Sequence, residues 1–248
     1  ALAVVMIDLD HFKNVNDVHG HATGDSLLRT AASIIVETLP TNAYIARLGG
    51  DEFAAAIRYD EGQDGAIGLM IGDLVGRFSE PLKADNICVH AGASIGVARS
   101  SEDEITIEGM IRRADIAMYA AKSAGRNQMA WFDTSMEQQL QARNEIEVAM
   151  RAGLQRNEFI PYFERQIDMT SGRITGFEVL ARWEHPSRGM VMPDEFISVA
   201  EETGMIGDIS EMVARKALET ARKWDPTITI SINISPIQLR DPWQPFLK

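Results

Sequence analysis

The chain of 248 residues contains a single cysteine, Cys88, so no internal disulfide can staple it. A reducing, cytoplasmic setting is the expectation. No apolar run approaches the roughly 18 residues of a membrane span, and no signal peptide is expected within these residues. Any membrane anchor would have to lie in segments outside these residues. Positive charge is scarce: 24 Lys and Arg against 36 Asp and Glu leave a formal net charge of −12. A nucleic-acid surface needs basic stripes, so that class is disfavoured, and an anionic ligand would be held through metal and a few local cations. An initiator Met is missing too. The chain opens inside an apolar run and stops after Phe246-Leu247-Lys248, as a piece of a longer protein would. What remains is a globular composition with room for one large domain or two modest ones.

Two acidic clusters carry the chemistry. The apolar run Leu2 to Ile7 reads as a buried strand that ends in Asp8-Leu9-Asp10. Residues i and i+2 share a face of a strand, so Asp8 and Asp10 leave it on one side. Paired carboxylates repel unless a cation neutralises them, and a strand-end Asp-x-Asp is a candidate Mg²⁺ site. The plainer reading, that Asp10 caps a helix beginning near His11, fits Asp10 but not Asp8. The second cluster, Gly49-Gly50-Asp51-Glu52-Phe53, lies between two apolar runs and predicts a hairpin. Its glycines allow positive φ and leave room for a bulky ligand. A solvated acidic turn is an equally good reading of these five residues taken alone.

Coarse periodicity predicts helices over 24–38, 65–78, about 107–121 and 134–154, the last opened by the capping box Thr134-Ser135-Met136-Glu137. Gly125 reads as the C-cap of the third. A strand pair is expected within 87–98 and a short strand at 129–132. This alternation implies an α/β (α+β) sandwich on a ferredoxin-like, palm-type sheet, with the Asp8 strand beside the Gly-Gly hairpin. Beyond 156 the pattern changes to strands at 159–163, 175–183 and 227–234 and helices at 194–202 and 209–224. The expected division is 1–133, a linker helix over 134–156, and 157–248.

Ile7-Asp8-Leu9-Asp10-His11-Phe12-Lys13-Asn14-Val15-Asn16-Asp17, Gly20-His21-Ala22-Thr23-Gly24-Asp25, Arg47 to Phe53 and Ala121-Lys122-Ser123-Ala124-Gly125-Arg126-Asn127 together resemble the GGDEF diguanylate cyclases. The resemblance implies condensation of two GTP to cyclic di-GMP and pyrophosphate by an antiparallel homodimer, with Mg²⁺ or Mn²⁺. It makes Asp8 and Asp51 metal ligands, with the Leu9 carbonyl adding a third. Glu52 is either a further ligand or the group that deprotonates the attacking hydroxyl. Lys122 and Arg126, which otherwise read as helix C-terminal charge compensation, become contacts to the β- and γ-phosphates. Phe12 and Lys13 open a helix whose N–H groups suit phosphate, although the Phe12 and Phe53 rings read as packing. Asn16 and Asp25 suit the guanine edge, since a carboxylate accepts from N1–H and N2–H₂; Asp25 also reads as an N-cap. Gly49 and Gly50 leave space for ribose and base. His19 and His21 have no further Cys or His nearby and read as surface rather than metal. The family's product-inhibition motif, Arg-x-x-Asp, is replaced by Pro40-Thr41-Asn42-Ala43, which implies no feedback inhibition through it.

Gly176-Phe177-Glu178-Val179-Leu180-Ala181-Arg182-Trp183, Pro193 to Ile197, Glu201 to Gly204 and Ser231-Ile232-Asn233-Ile234-Ser235 resemble the start of an EAL phosphodiesterase, a modified (β/α)₈ barrel of which fewer than half the residues are here. That resemblance makes Glu178 and Asn233 metal ligands and Arg182 a contact to cyclic di-GMP. Glu164-Arg165 stands where the family commonly has Gln-Pro. Three further readings stay open: a GTP-binding regulatory domain controlling an EAL phosphodiesterase, a non-enzymatic cyclic di-GMP receptor or scaffold, and a template-directed polymerase, which the acidic surface disfavours. An upstream sensor domain is expected in the full-length protein.

Overall fold

The computed structural model describes residues 1–85, 87–100 and 106–239. It divides into two compact units, 1–140 and 141–248. In the first, β1 (Leu2–Leu9), β2 (Tyr44–Gly49), β3 (Glu52–Arg58), β6 (Ala93–Arg99) and β7 (Gln128–Trp131) form one sheet in the order β2-β3-β1-β6-β7. The central strand β1 is antiparallel to both neighbours, and β7 joins β6 in parallel. β1 is the most apolar strand and is buried along almost its whole length, as a central strand covered on both faces must be. The Asp8 strand and the Gly-Gly hairpin are side by side, as the element pattern predicts.

Helices α1 (Phe12–His19), α2 (His21–Thr38), α3 (Asp64–Ser79) and α4 (Ile107–Ser123) flank the sheet. Leu27, Ala31 and Ile35 of α2 and Ile71, Leu74 and Phe78 of α3 pack with Val5, Ile7 and Ile95 on one face. Met110, Ala114 and Met118 of α4 cover Val4 and Met6 on the other. The two strands predicted within 87–98 both form, but not with each other. β5 (Ile87–Val89) pairs with β4 (Leu82–Ala84) as a separate ribbon, while β6 inserts beside β1. β5 pairs with β4 over three positions, whereas β6 pairs with β1 over seven.

Helix α5 (Thr134–Gln155) begins as expected, but its cap is different. Asp133 Oδ1 accepts the Ser135 N–H at 2.8 Å, so the Asp before the predicted box closes the helix end. In the second unit β8 (Phe159–Ile167) and β9 (Ile174–His185) form a long hairpin, β10 (Gly189–Val191) extends one edge, and β11 (Thr229–Ile232) pairs with β9 in parallel. Helices α6 (Pro193–Glu202) and α7 (Ile206–Ala221) pack on the apolar face, where Phe159 stacks on Trp183 with ring centroids 5.3 Å apart and Phe196 closes the cluster.

Candidate active site

The first site forms where β1 ends and β3 begins. Asp8 lies directly opposite Glu52 in the β1–β3 register, and the Leu9 N–H donates to the Asp51 carbonyl at 3.3 Å. Gly50 takes φ 51° at the first central position of a two-residue loop, the place where a tight hairpin needs a glycine. Nothing lies within 4 Å of where a Cβ on Gly49 or Gly50 would be, so the ground before the loop is open. Arg47 clamps the loop from behind, its Nε and Nη2 both donating to the Gly50 carbonyl at 3.0 and 2.6 Å.

Asp8 is nearly buried, with 11% of its side chain exposed, and its Oδ2 lies 2.7 Å from Lys122 Nζ. Burial foremost pushes the Asp8 carboxyl above the usual carboxylate range. The hydrogen bond and charge of Lys122 pull it back, and the charges of Asp51 and Glu52 raise it further. A hard divalent cation suits this all-oxygen donor set. The carboxylates are not drawn into a coordination sphere, however: among the described residues no three His, Cys, Asp or Glu side chains converge as a metal-holding group. Lys122 is the cation that Asp8 meets here.

Asp10 does not cap α1. The N-cap is His11, in the left-handed region at φ 60°, with no side-chain cap bond. Asp10 instead turns its carboxylate to Ser94 Oγ and the Asn127 N–H, at 2.7 and 2.8 Å. The first N–H groups of α1, those of Phe12 and Lys13, have no intrahelical acceptor. Lys13 is exposed, and the Phe12 ring is half-buried against the core, as is Phe53 more fully. Asp25 does not cap α2 either, because the helix begins earlier, at His21. It is exposed and lines an open depression of about 340 Å³ with Arg29, Arg47 and Phe53.

Asn16 packs against Gly24 across the α1–α2 corner. A Cβ at Gly24 would fall 2.0 Å from Asn16 Oδ1, so only glycine admits the amide there. Asn16 Oδ1 is buried without a partner, an orphaned acceptor. Arg126 is not on a helix: α4 ends at Ser123, and Gly125 and Arg126 form a Schellman turn with Gly125 at C′ rather than at the cap itself. Its side chain is exposed.

In the second unit Glu178 and Asn233, 55 residues apart, meet: Asn233 Nδ2 donates to Glu178 Oε1 at 2.7 Å. Arg182 is on the same face of β9, its guanidinium 5.5 Å from the Tyr162 ring centroid. Glu164 faces Glu178 directly across the β8–β9 hairpin.

Against known families, residues 1–128 match the model described as "Diguanylate cyclase, GGDEF domain". The chain belongs to the GGDEF family. Residues 144–247 match the EAL domain, so this is a GGDEF–EAL chain. It is 37% identical over its whole length to an uncharacterized signaling protein of Caulobacter vibrioides, of which it spans 30%. It is 37% identical over 95% of its length to the bifunctional diguanylate cyclase/cyclic di-GMP phosphodiesterase MucR of Pseudomonas aeruginosa, spanning 35% of that protein. The chain thus covers about a third of the length of these relatives. The GGDEF domain of TpbB (YfiN) from Pseudomonas aeruginosa superposes with a TM-score of 0.54 at 33% identity, covering 56% of this chain and 81% of that one.

Two features of this GGDEF unit escaped sequence reasoning. Arg47 stands two residues before the glycines as an ordinary strand cation, with nothing to announce that it clamps their loop. Asp10 and Asn127 are 117 residues apart, and no spacing rule joins them. Among the described residues no helix is long and apolar enough to cross a membrane.

Proposed function

We propose that the GGDEF unit is a diguanylate cyclase, condensing two GTP into cyclic di-GMP with release of two pyrophosphates, in a cyclic di-GMP signalling protein that also carries an EAL phosphodiesterase. The carrying observation is the meeting of Asp8, Glu52 and Lys122 beside the open Gly49-Gly50 loop. MucR, whose name pairs both activities, supports the same reading.

Asp8, the Leu9 carbonyl, Asp51 and Glu52 would hold Mg²⁺ or Mn²⁺, which supplies charge neutralisation on the triphosphate. Lys122, released from Asp8, and Arg126 bind the β- and γ-phosphates. The first-turn N–H groups at Phe12 and Lys13 add donors. Asp25 accepts from the guanine edge, and the Asn16 amide, once turned out from under Gly24, supplies a second contact to the base. Glu52 either shares the cation or draws the proton from the attacking 3′-hydroxyl. Each 3′-oxygen attacks the α-phosphate held by the facing subunit, so the working species is a homodimer. In the EAL unit Glu178 and Asn233 are metal ligands and Arg182 contacts a phosphate of cyclic di-GMP.

One observation favours a second reading. A relative 33% identical over 97% of this chain, the cyclic di-GMP phosphodiesterase PdeR of Escherichia coli, carries only the hydrolytic activity in its name, so GTP bound here would switch the EAL unit instead of being turned over. Full-length protein given Mg²⁺ with GTP or with cyclic di-GMP, products separated by chromatography, distinguishes them. Asp51→Ala should abolish GTP consumption, and Glu178→Ala should abolish only cyclic di-GMP hydrolysis. Undiminished GTP consumption by Asp51→Ala sinks the cyclase reading; an Asp51→Ala effect on hydrolysis alone favours the switch.

A further inference from the structure

Asp10 has no part in the chemistry just described, yet it is 3% exposed and spends both carboxylate oxygens. Oδ1 accepts from Ser94 Oγ on β6, and Oδ2 from the backbone N–H of Asn127, while its own N–H donates to the Gly92 carbonyl at 2.8 Å. Asn127 ends an unusual run of three positive φ angles: Gly125 at 119°, Arg126 at 64° and Asn127 at 46°. Two of the three are not glycine, and such backbone persists only where its surroundings over-determine it. The surroundings are identifiable. Upstream, the Arg126 N–H donates to the Ala121 carbonyl at 3.1 Å in the Schellman turn. Downstream, Asp10 takes the Asn127 N–H, and Asn127 Nδ2 donates to Ser79 Oγ at 2.8 Å. Arg126 stands between these anchors with its side chain in solvent, and Lys122 one turn earlier reaches Asp8. One strand end therefore holds both ends of the segment that carries the two cations.

We propose that Asp10 is a positioning residue for phosphate recognition: by capturing the Asn127 N–H it locks the strained 125–127 turn and sets Arg126 and Lys122 for the terminal phosphates of a nucleoside triphosphate. The proposal rests on the cyclase reading and extends it to a buried carboxylate whose two oxygens are both engaged within the protein. It separates two jobs at the end of β1, Asp8 meeting charge and Asp10, just beyond the strand, holding the loop.

The test is the affinity of the chain for GTP and for GMP, each with Mg²⁺, beside the thermal midpoint without nucleotide. Asp10→Asn keeps the shape but accepts only one of the two donors and turns its NH₂ on the other. The GTP-over-GMP preference should fall about tenfold, with GMP affinity held. Asn127→Gly keeps the N–H that Asp10 captures but loses the Ser79 anchor, so it should lower the preference less than Asp10→Asn does; a larger loss there overturns the assignment to Asp10. An Asp10→Asn chain that melts earlier but keeps the wild-type preference overturns the proposal, leaving Asp10 a structural residue. Should Asp10→Asn fail to fold, Ser94→Ala removes one of the two donors that orient the same carboxylate; an unchanged ratio there overturns it equally. A wild-type chain that binds GTP no better than GMP sinks the phosphate site, and the cyclase reading with it.

Discussion

Lys122 Nζ sits 2.7 Å from Asp8 Oδ2, tying the last turn of α4 to the end of the central strand. The pair is mostly buried, so each charge depends on the other. Lys122→Met should destabilise the chain by about 1–3 kcal/mol, because it leaves a buried carboxylate without its cation. Adding Asp8→Asn should recover much of that loss. Denaturant unfolding of the two single variants and the double variant measures the coupling, and additive effects would show that the pair carries none.

Arg47 holds the Gly50 carbonyl with two donors on an exposed hairpin. Arg47→Ala should cost about 1 kcal/mol or less in stability. Its effect on GTP turnover should be larger, about tenfold or more, because the loop carrying Asp51 loses its rear support. Turnover and melting measured on one preparation separate the two.

Gly24→Ala would drive a Cβ into Asn16 Oδ1. Overpacking of this kind costs about 1–3 kcal/mol. Displacement of the amide should also erode discrimination of GTP from ATP, read as the ratio of the two affinities. A variant with lowered stability and an intact ratio would place Asn16 outside base recognition.

Tyr59 donates its hydroxyl to Asp64 Oδ1 at 2.7 Å, and its pKa is pushed from 10.0 up to about 12, by burial first and then by that bond and the Asp64 charge. The folded value lies above the free one, so the stability this group contributes is intact below pH 10 and lost as pH rises through 12. In an alkaline absorbance titration one of the four tyrosines should ionise late. Tyr59→Phe should remove that late phase and flatten the fall in melting temperature over the same interval.

Pro40-Thr41-Asn42-Ala43 joins α2 to β2 and contains no charged side chain to hold an anionic dinucleotide. Cyclic di-GMP should therefore not inhibit GTP turnover through this turn. Product inhibition that disappears on substitution of these four positions would contradict that.

Much of this was open to reading along the chain. The apolar run of β1, the Gly-Gly hairpin and the helical periodicities all arise from local sequence, and they placed Asp8 and Glu52 on adjoining elements. In the EAL unit, motif residues 55 apart in sequence do meet, as Glu178 and Asn233. Capping was less legible. Asp10, Asp25 and Thr134 each had a side chain suited to an N-cap, but a side chain near a helix start competes with every partner the fold brings to it. Asp10 found Ser94 and Asn127, Asp25 was overtaken by a helix beginning at His21, and Asp133 was nearer the mark than Thr134.

Local order and residue chemistry thus set which groups exist at the site and which strands carry them, because strand and turn formation depend on neighbours a few residues away. Which group each one touches was settled by packing across the sheet. Lys122 reaches Asp8, and Asp10 reaches the N–H of Asn127, only because α4 lies across β1 and its C-terminal turn descends onto the strand end. Those contacts span more than a hundred residues, and no periodicity in the chain encodes a distance of that kind.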